Sequence, residues 1–172
     1  MKKLLLGAAA AFLLTPAAFA KDAALAEAVA QDYDYVFNLY KHFHENPELS
    51  FKESESAKRM AAELEGLGFT VSTGLGDKWT KDYVKKEEGK VIDGVGGYGL
   101  VAVMTNGEGP TVMLRADMDA LPLEEKTNLP YSSKVVDVDY RGQTAPVMHA
   151  CAHDSHMAIL IGTARRLVAC RR

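Results

Sequence analysis

From Asp22 to Phe43 apolar residues recur at helical spacing, at Leu25, Val29, Tyr33, Val36, Phe37, Tyr40 and Phe43, which predicts one amphipathic helix stopped by Asn46-Pro47. A second helix is predicted from about Glu53 to Leu67, with Ser50 and Ser54 as N-cap candidates and Gly68 as the C-terminal cap. Phe69 to Thr73 alternates and predicts a strand. Gly74 to Gly97 turns polar and glycine-rich around Lys85-Lys86-Glu87-Glu88-Gly89, the pattern of an exposed hairpin or loop. Two β-branched runs, Tyr98–Thr105 and Thr111–Ala116, flank the turn signal Asn106-Gly107-Glu108-Gly109-Pro110 and are predicted to be neighbouring strands. Leu121 to Pro146 reads mostly as loop. A last helix runs from about Asp154, with Ile159, Leu160, Ala164, Leu167 and Val168 as its apolar stripe. Arg165, Arg166, Arg171 and Arg172 favour the negative end of that helix.

This order of helices and strands is α/β. Two or three strands make only part of a sheet and leave an open edge. Together with the ending Val168-Ala169-Cys170-Arg171-Arg172, this gives the expectation of an interrupted reading frame.

The first 20 residues follow a different pattern. Lys2-Lys3, an apolar run from Leu4 to Leu14 and the small-residue site Ala18-Phe19-Ala20 predict a secretory signal peptide over residues 1–20. The run is shorter than the ~20 apolar residues that span a bilayer. The expected location is periplasmic or secreted, with no membrane attachment after cleavage and one domain over residues 21–172. The composition, 48% hydrophobic and 25% charged, excludes a disordered chain. A net charge of −3 without a Lys/Arg block argues against a nucleic-acid partner. Two cysteines, Cys151 and Cys170, exclude a disulfide-stapled miniprotein and a four-cysteine zinc module.

Ligand-type side chains concentrate at His149, Cys151, His153, Asp154 and His156. If residues 149–153 are extended, the period of two turns His149, Cys151 and His153 to one side. Cys-x-His is a donor pair suited to zinc or a similar divalent metal, and the alternative is a buried thiol beside a helix start with solvated histidines. Asp117 and Asp119 close an apolar strand, where sites of open α/β sheets collect. Next to the His/Cys cluster they are candidates for ligating a metal or holding a metal-bound imidazole by its second nitrogen; alone they read as a solvated acidic turn. Gly94-Val95-Gly96-Gly97-Tyr98-Gly99 satisfies G-x-G-x-x-G, but a strand follows where a dinucleotide site needs a helix.

Four segments in order resemble one known family: Pro47–Phe51 with His44 and Glu53, Leu114–Pro122, Pro146–Asp154, and Gly162–Arg165. They are similar to the M20 metallopeptidases, nearest to the branch of amidohydrolases that cleave N-acyl amino acids such as hippurate. The resemblance covers roughly residues 33–170. It implies an α/β fold, the partial catalytic domain of a two-metal aminopeptidase-like fold with helices packed on a mixed sheet and the lid domain absent.

It further implies a metal-dependent amidohydrolase acting on N-acyl amino acids or small peptides. Two divalent metals would complete the site, zinc or manganese, with cobalt or nickel as further candidates. Cys151 and His153 match metal ligands, and Asp119 matches the carboxylate that orients a metal-bound ligand. Asp117 stands where other branches carry a metal-binding His, and its role is left open. Ala152 replaces the family's usual Gly and is expected to strain the loop by roughly 1 kcal/mol if that position has positive φ. The stretch 76–97 exceeds the family's usual strand connection. The general-base Glu and the remaining ligands belong to positions past Arg172, so the chain alone is expected to be truncated and inactive. The competing expectation is a non-catalytic remnant that associates, as a homo-oligomer, through its exposed sheet edge.

Overall fold

The computed structural model describes residues 16–170. Most of the predicted signal peptide, residues 1–15, lies outside the described residues, as do Arg171 and Arg172. Three helices form one layer: α1 (Pro16–Glu45), α2 (Ser54–Gly66) and α4 (His153–Ala169). Helix α1 begins earlier than its apolar periodicity predicts and runs through Ala20.

The helices meet through Leu39, Phe43, Met60, Leu64, Met157, Ala158, Ile161 and Ala164, which make the main core. Met157 and Ile161 are 0% exposed, so each side chain contributes about 1.5–3 kcal/mol of burial. The stripe predicted on α4 is rotated: Met157, Ala158, Ile161 and Ala164 face inward, whereas Ile159 and Leu167 are 57% and 54% exposed. Close approach to α1 sets that rotation. A Cβ on Gly162 would lie 2.9 Å from Val36 Cγ2, and Arg165 and Arg166 reach Asp32 of α1 at 3.1 and 2.6 Å. Arg165 also lies over the Tyr35 ring, 4.2 Å from its centroid.

Helix α2 ends as predicted, in a Schellman turn. Gly68 at φ 87° lets its own N–H reach Glu65 O at 2.9 Å and the Phe69 N–H reach Leu64 O at 3.0 Å. Its start differs from expectation. Neither Ser50 nor Ser54 caps it; Glu48 accepts hydrogen bonds from the Glu55 and Ser56 amides at 3.0 and 2.6 Å. A carboxylate outranks a hydroxyl there because it also complements the helix dipole.

Strand β1 (Thr70–Leu75) pairs antiparallel with β2 (Gly99–Val103). Between them the expected loop is a helix, α3 (Asp77–Glu88). Its polar composition hides i,i+4 partners: Lys78 with Asp82, Lys81 with Asp77, and Trp79 stacked on Tyr83 at 5.2 Å. Gly76 and Gly89, both left-handed, bracket it. The connection is tied down where the Gly96 N–H reaches Phe51 O at 2.9 Å. At Gly97 a Cβ would stand 2.1 Å from the Asp77 nitrogen, so only glycine fits.

Thr111–Ala116 is not a strand, contrary to expectation. The run has β-forming composition but no ladder partner among the described residues, and Val112 and Met113 are 79% and 85% exposed. The predicted loop 121–146 contains a short hairpin, β3 (Val136–Val138) with β4 (Thr144–Pro146). The α/β class holds, with its described strands in two two-stranded antiparallel sheets. Among the described residues no helix is long and apolar enough to cross a membrane.

Candidate metal centre

Residues 119–121 thread between two other segments. Leu49 bridges Ala120, whose N–H donates to Glu48 O at 2.7 Å, and Leu121 exchanges backbone hydrogen bonds with Met148 at 2.9 and 3.1 Å. Leu49, Ala120 and Val147 bury together beneath this seam. The seam brings Asp119 from one motif, Ser50 from another and His153 from a third to one place.

His153 opens α4. Its Nδ1 lies 2.8 Å from Asp119 O and 3.1 Å from Asp119 Oδ1, and the Ser50 hydroxyl donates to Asp119 Oδ2 at 2.7 Å. A ring nitrogen facing two acceptors carries a proton, so in its neutral form His153 is the Nδ1–H tautomer, with the lone pair on Nε2. This is the arrangement in which a carboxylate sets a ligating imidazole.

Residues 149–153 are a turn, not the extended segment expected from their spacing. The Ala150 N–H returns to Met148 O at 3.1 Å, and Ala152 sits at φ 62°, ψ 24° before the helix begins. His149 is therefore buried, 5% exposed, while Cys151 is exposed. Neither ring nitrogen of His149 has a hydrogen-bond partner. Burial pushes that imidazole down to about 4, so it is neutral at pH 7. Asp117 does not join Asp119; it is half-exposed and pairs with Arg115.

Two features involve residues that the motif around Pro47–Phe51 includes, His44 and Glu53, but to which the sequence assigns no role. His44 is buried between Asp154 and Glu125, with Nδ1 2.7 Å from Asp154 Oδ2 and Nε2 3.0 Å from Glu125 Oε1. Its presence in the Pro47–Phe51 motif region was the one available signal; Glu125 gave none. Glu53, beside Asp119 at the start of α2, has its carboxyl pushed up to about 7 by burial, with the Asp119 and Glu48 charges adding to it.

An imidazole held through Nδ1 with Nε2 outside that contact, a second buried imidazole with unpaired nitrogens and an exposed thiol fit a divalent metal in kind. They do not fit in number. Among the described residues no three His, Cys, Asp or Glu side chains converge to hold an ion.

Residues 113–172 match the family model described as peptidase family M20/M25/M40. The chain is 38% identical over 135 residues to thermostable carboxypeptidase 2 of Saccharolobus solfataricus, covering 78% of this chain and 28% of that protein. It is 38% identical over 133 residues to the hippurate hydrolase of Campylobacter jejuni, covering 76% of this chain and 27% of that protein. A solved Bacillus subtilis structure, titled a dinuclear metal binding peptidase from the M20 family, superposes with a TM-score of 0.60 at 33% identity. That match covers 83% of this chain and 32% of the other. The chain thus spans under a third of the length of these relatives.

Proposed function

We propose, for a chain that resembles the N-terminal part of the M20-family hydrolases, that it supplies one part of a metal-dependent amidohydrolase centre for N-acyl amino acids or small peptides. The observation that carries this reading is His153, fixed by Asp119 as an Nδ1–H tautomer two residues from the exposed Cys151. Cys151 and His153 would hold the metal, with Asp119 orienting the imidazole and Ser50 orienting Asp119. A divalent metal held by these residues would supply polarisation of an amide carbonyl and acidification of water near neutral pH.

The chain's own residues do the rest of the positioning. Asp119 holds a proton on His153 Nδ1 and so keeps Nε2 basic, while Cys151, outside the core, is open to ligand from solvent. Two such donors fall short of the usual three protein ligands plus a water. On this reading residues 1–172 alone are inactive, residues 1–20 direct export, and substrate choice rests on further parts of the site.

Cobalt titration of the full chain tests this reading. The expected result is thiolate-to-cobalt absorption that Cys151→Ala abolishes, with no hydrolysis of hippurate or other N-acyl amino acids. Absence of that absorption would overturn the ligand assignment. Chelator-sensitive turnover would overturn the inactivity.

A further inference from the structure

His44 lies outside the metal ligands and none of the roles above uses it, yet it is among the most buried ionisable groups of the chain. The side chains of His44, Glu125 and Asp154 are 7%, 1% and 2% exposed. Each ring nitrogen faces a carboxylate oxygen, at 2.7 Å for Asp154 and 3.0 Å for Glu125. A neutral imidazole has one N–H and one lone pair. With ionised carboxylates on both sides, the neutral ring would set its lone pair against an anion in a site without solvent.

Both carboxyl groups accept further hydrogen bonds besides those to the ring. Glu125 Oε2 accepts the Ser133 N–H at 2.6 Å, and its Oε1 also accepts the Thr127 hydroxyl. Asp154 Oδ1 accepts the Ser155 N–H at 2.8 Å and lies in the first turn of α4, where the helix dipole favours an anion. The other groups facing the ring are Tyr40 of α1 and Tyr131, with centroids 5.4 and 5.6 Å from that of His44. Burial, then the Asp154 charge, pushes the Tyr40 phenol up to about 12, so it brings no competing charge. His149, pushed down by burial, is neutral at pH 7 and adds no charge to this cluster.

We infer that His44 is held as an imidazolium and acts as a positioning residue, clasping the first turn of α4, and with it His153, to the end of α1 and to Glu125. The bearing on metal binding rests on the function proposed above; the clasp does not. The ring joins three segments far apart in sequence, and its Asp154 partner is the residue next to His153. Without the cation, two buried carboxylates would be left uncompensated, and the turn carrying His153 would lose its anchor to α1.

The test uses the metal-free full chain, so its outcome is independent of any hydrolase activity. Imidazole nitrogen NMR at pH 6.5, where an ordinary histidine is about half neutral, is expected to show both His44 nitrogens protonated. A single protonated nitrogen at that pH would overturn the inference. In His44→Gln, amide exchange over residues 153–157 is expected to speed up about tenfold relative to α2, the loss of one charged hydrogen bond or more. Unchanged relative exchange would overturn the positioning role. Should that variant not fold, Glu125→Gln keeps an acceptor and removes one charge. The His44 midpoint is then expected to fall toward its ordinary value, and an unmoved midpoint counts against the clasp.

Discussion

The layer of α1, α2 and α4 and the seam that carries Asp119, Ala152 and His153 treat their residues in opposite ways. In the layer most demands are met locally: apolar side chains interlock at 0–4% exposure and Asp32 answers Arg165 and Arg166, although Arg166 Nε is left without a partner. In the seam, three costs stand unrelieved side by side. Ala152 has a left-handed backbone, His149 is buried with both nitrogens unpaired, and Glu53 is half-buried near two other carboxylates. Strain and unmet polar groups cluster where a structure is shaped for binding rather than for stability. Substitutions should therefore carry opposite signs in the two regions.

The largest effect belongs to the layer. Ile161→Ala is expected to destabilise the chain by about 2–5 kcal/mol, the cost of lost burial plus a cavity that α1 and α2 cannot fill. Urea denaturation checks this. A loss below about 1 kcal/mol would mean that the layer is loosely packed and the contrast unfounded.

Glu53→Gln comes next and has the opposite sign. The wild-type carboxyl is raised from 4.5 to about 7, so the folded state binds more protons than the unfolded state between those values. Its cost is absent below pH 4.5, grows as pH rises through the window and is complete above pH 7, where it reaches roughly 3 kcal/mol. Gln still accepts the hydrogen bond that the Phe51 N–H gives at 3.0 Å but never ionises. The variant should be more stable than wild type at pH 8 and nearly equal to it at pH 4. Equal stability at both pH values would remove Glu53 from the list of unrelieved costs. The His44 clasp adds an opposing pair of slopes. The carboxylates outweigh burial and raise the His44 pKa, so its contribution is full below about pH 6.5 and is lost as pH rises through the folded value. Burial opposes the Glu125 charge, but the Thr127 and His44 bonds win and lower its pKa, so that contribution is lost as pH falls through the folded value.

The layer was far more legible from sequence than the seam, and the reason is physical. A helix announces itself through neighbours three and four positions apart, so α1, α2 and α4 follow from periodicity, and Gly68 from its place after Leu67. Even α3 was present in its i,i+4 ion pairs, though its polar composition concealed them. Strands and sites depend on partners distant in the chain. Thr111–Ala116 has the composition of a strand and no ladder, because composition cannot supply a neighbour. The motifs marked Asp119, Cys151 and His153 as chemistry, but not that Ser50 would aim Asp119 or that Glu125, with no motif of its own, would meet His44. The turn at 149–153 defeated the period-two reading because one left-handed residue, Ala152, redirects the chain into α4.

That residue offers the smallest and sharpest probe of the contrast. At φ 62°, ψ 24°, Ala152 places its Cβ against the following carbonyl, at a cost of roughly 1–2 kcal/mol that glycine does not bear. Glycine gives back part of that gain through its greater freedom in the unfolded chain. Ala152→Gly is thus expected to stabilise by about 0.5–1 kcal/mol, readable as an upward shift in the denaturation midpoint. The same replacement inside α2, Ala61→Gly, should cost about 1 kcal/mol, since there glycine only loses helix propensity and packing. One chemical change with opposite signs at two alanines isolates backbone strain from side-chain loss. If both variants are destabilised, the left-handed residue is not a source of strain and the turn is as settled as the layer it leads into.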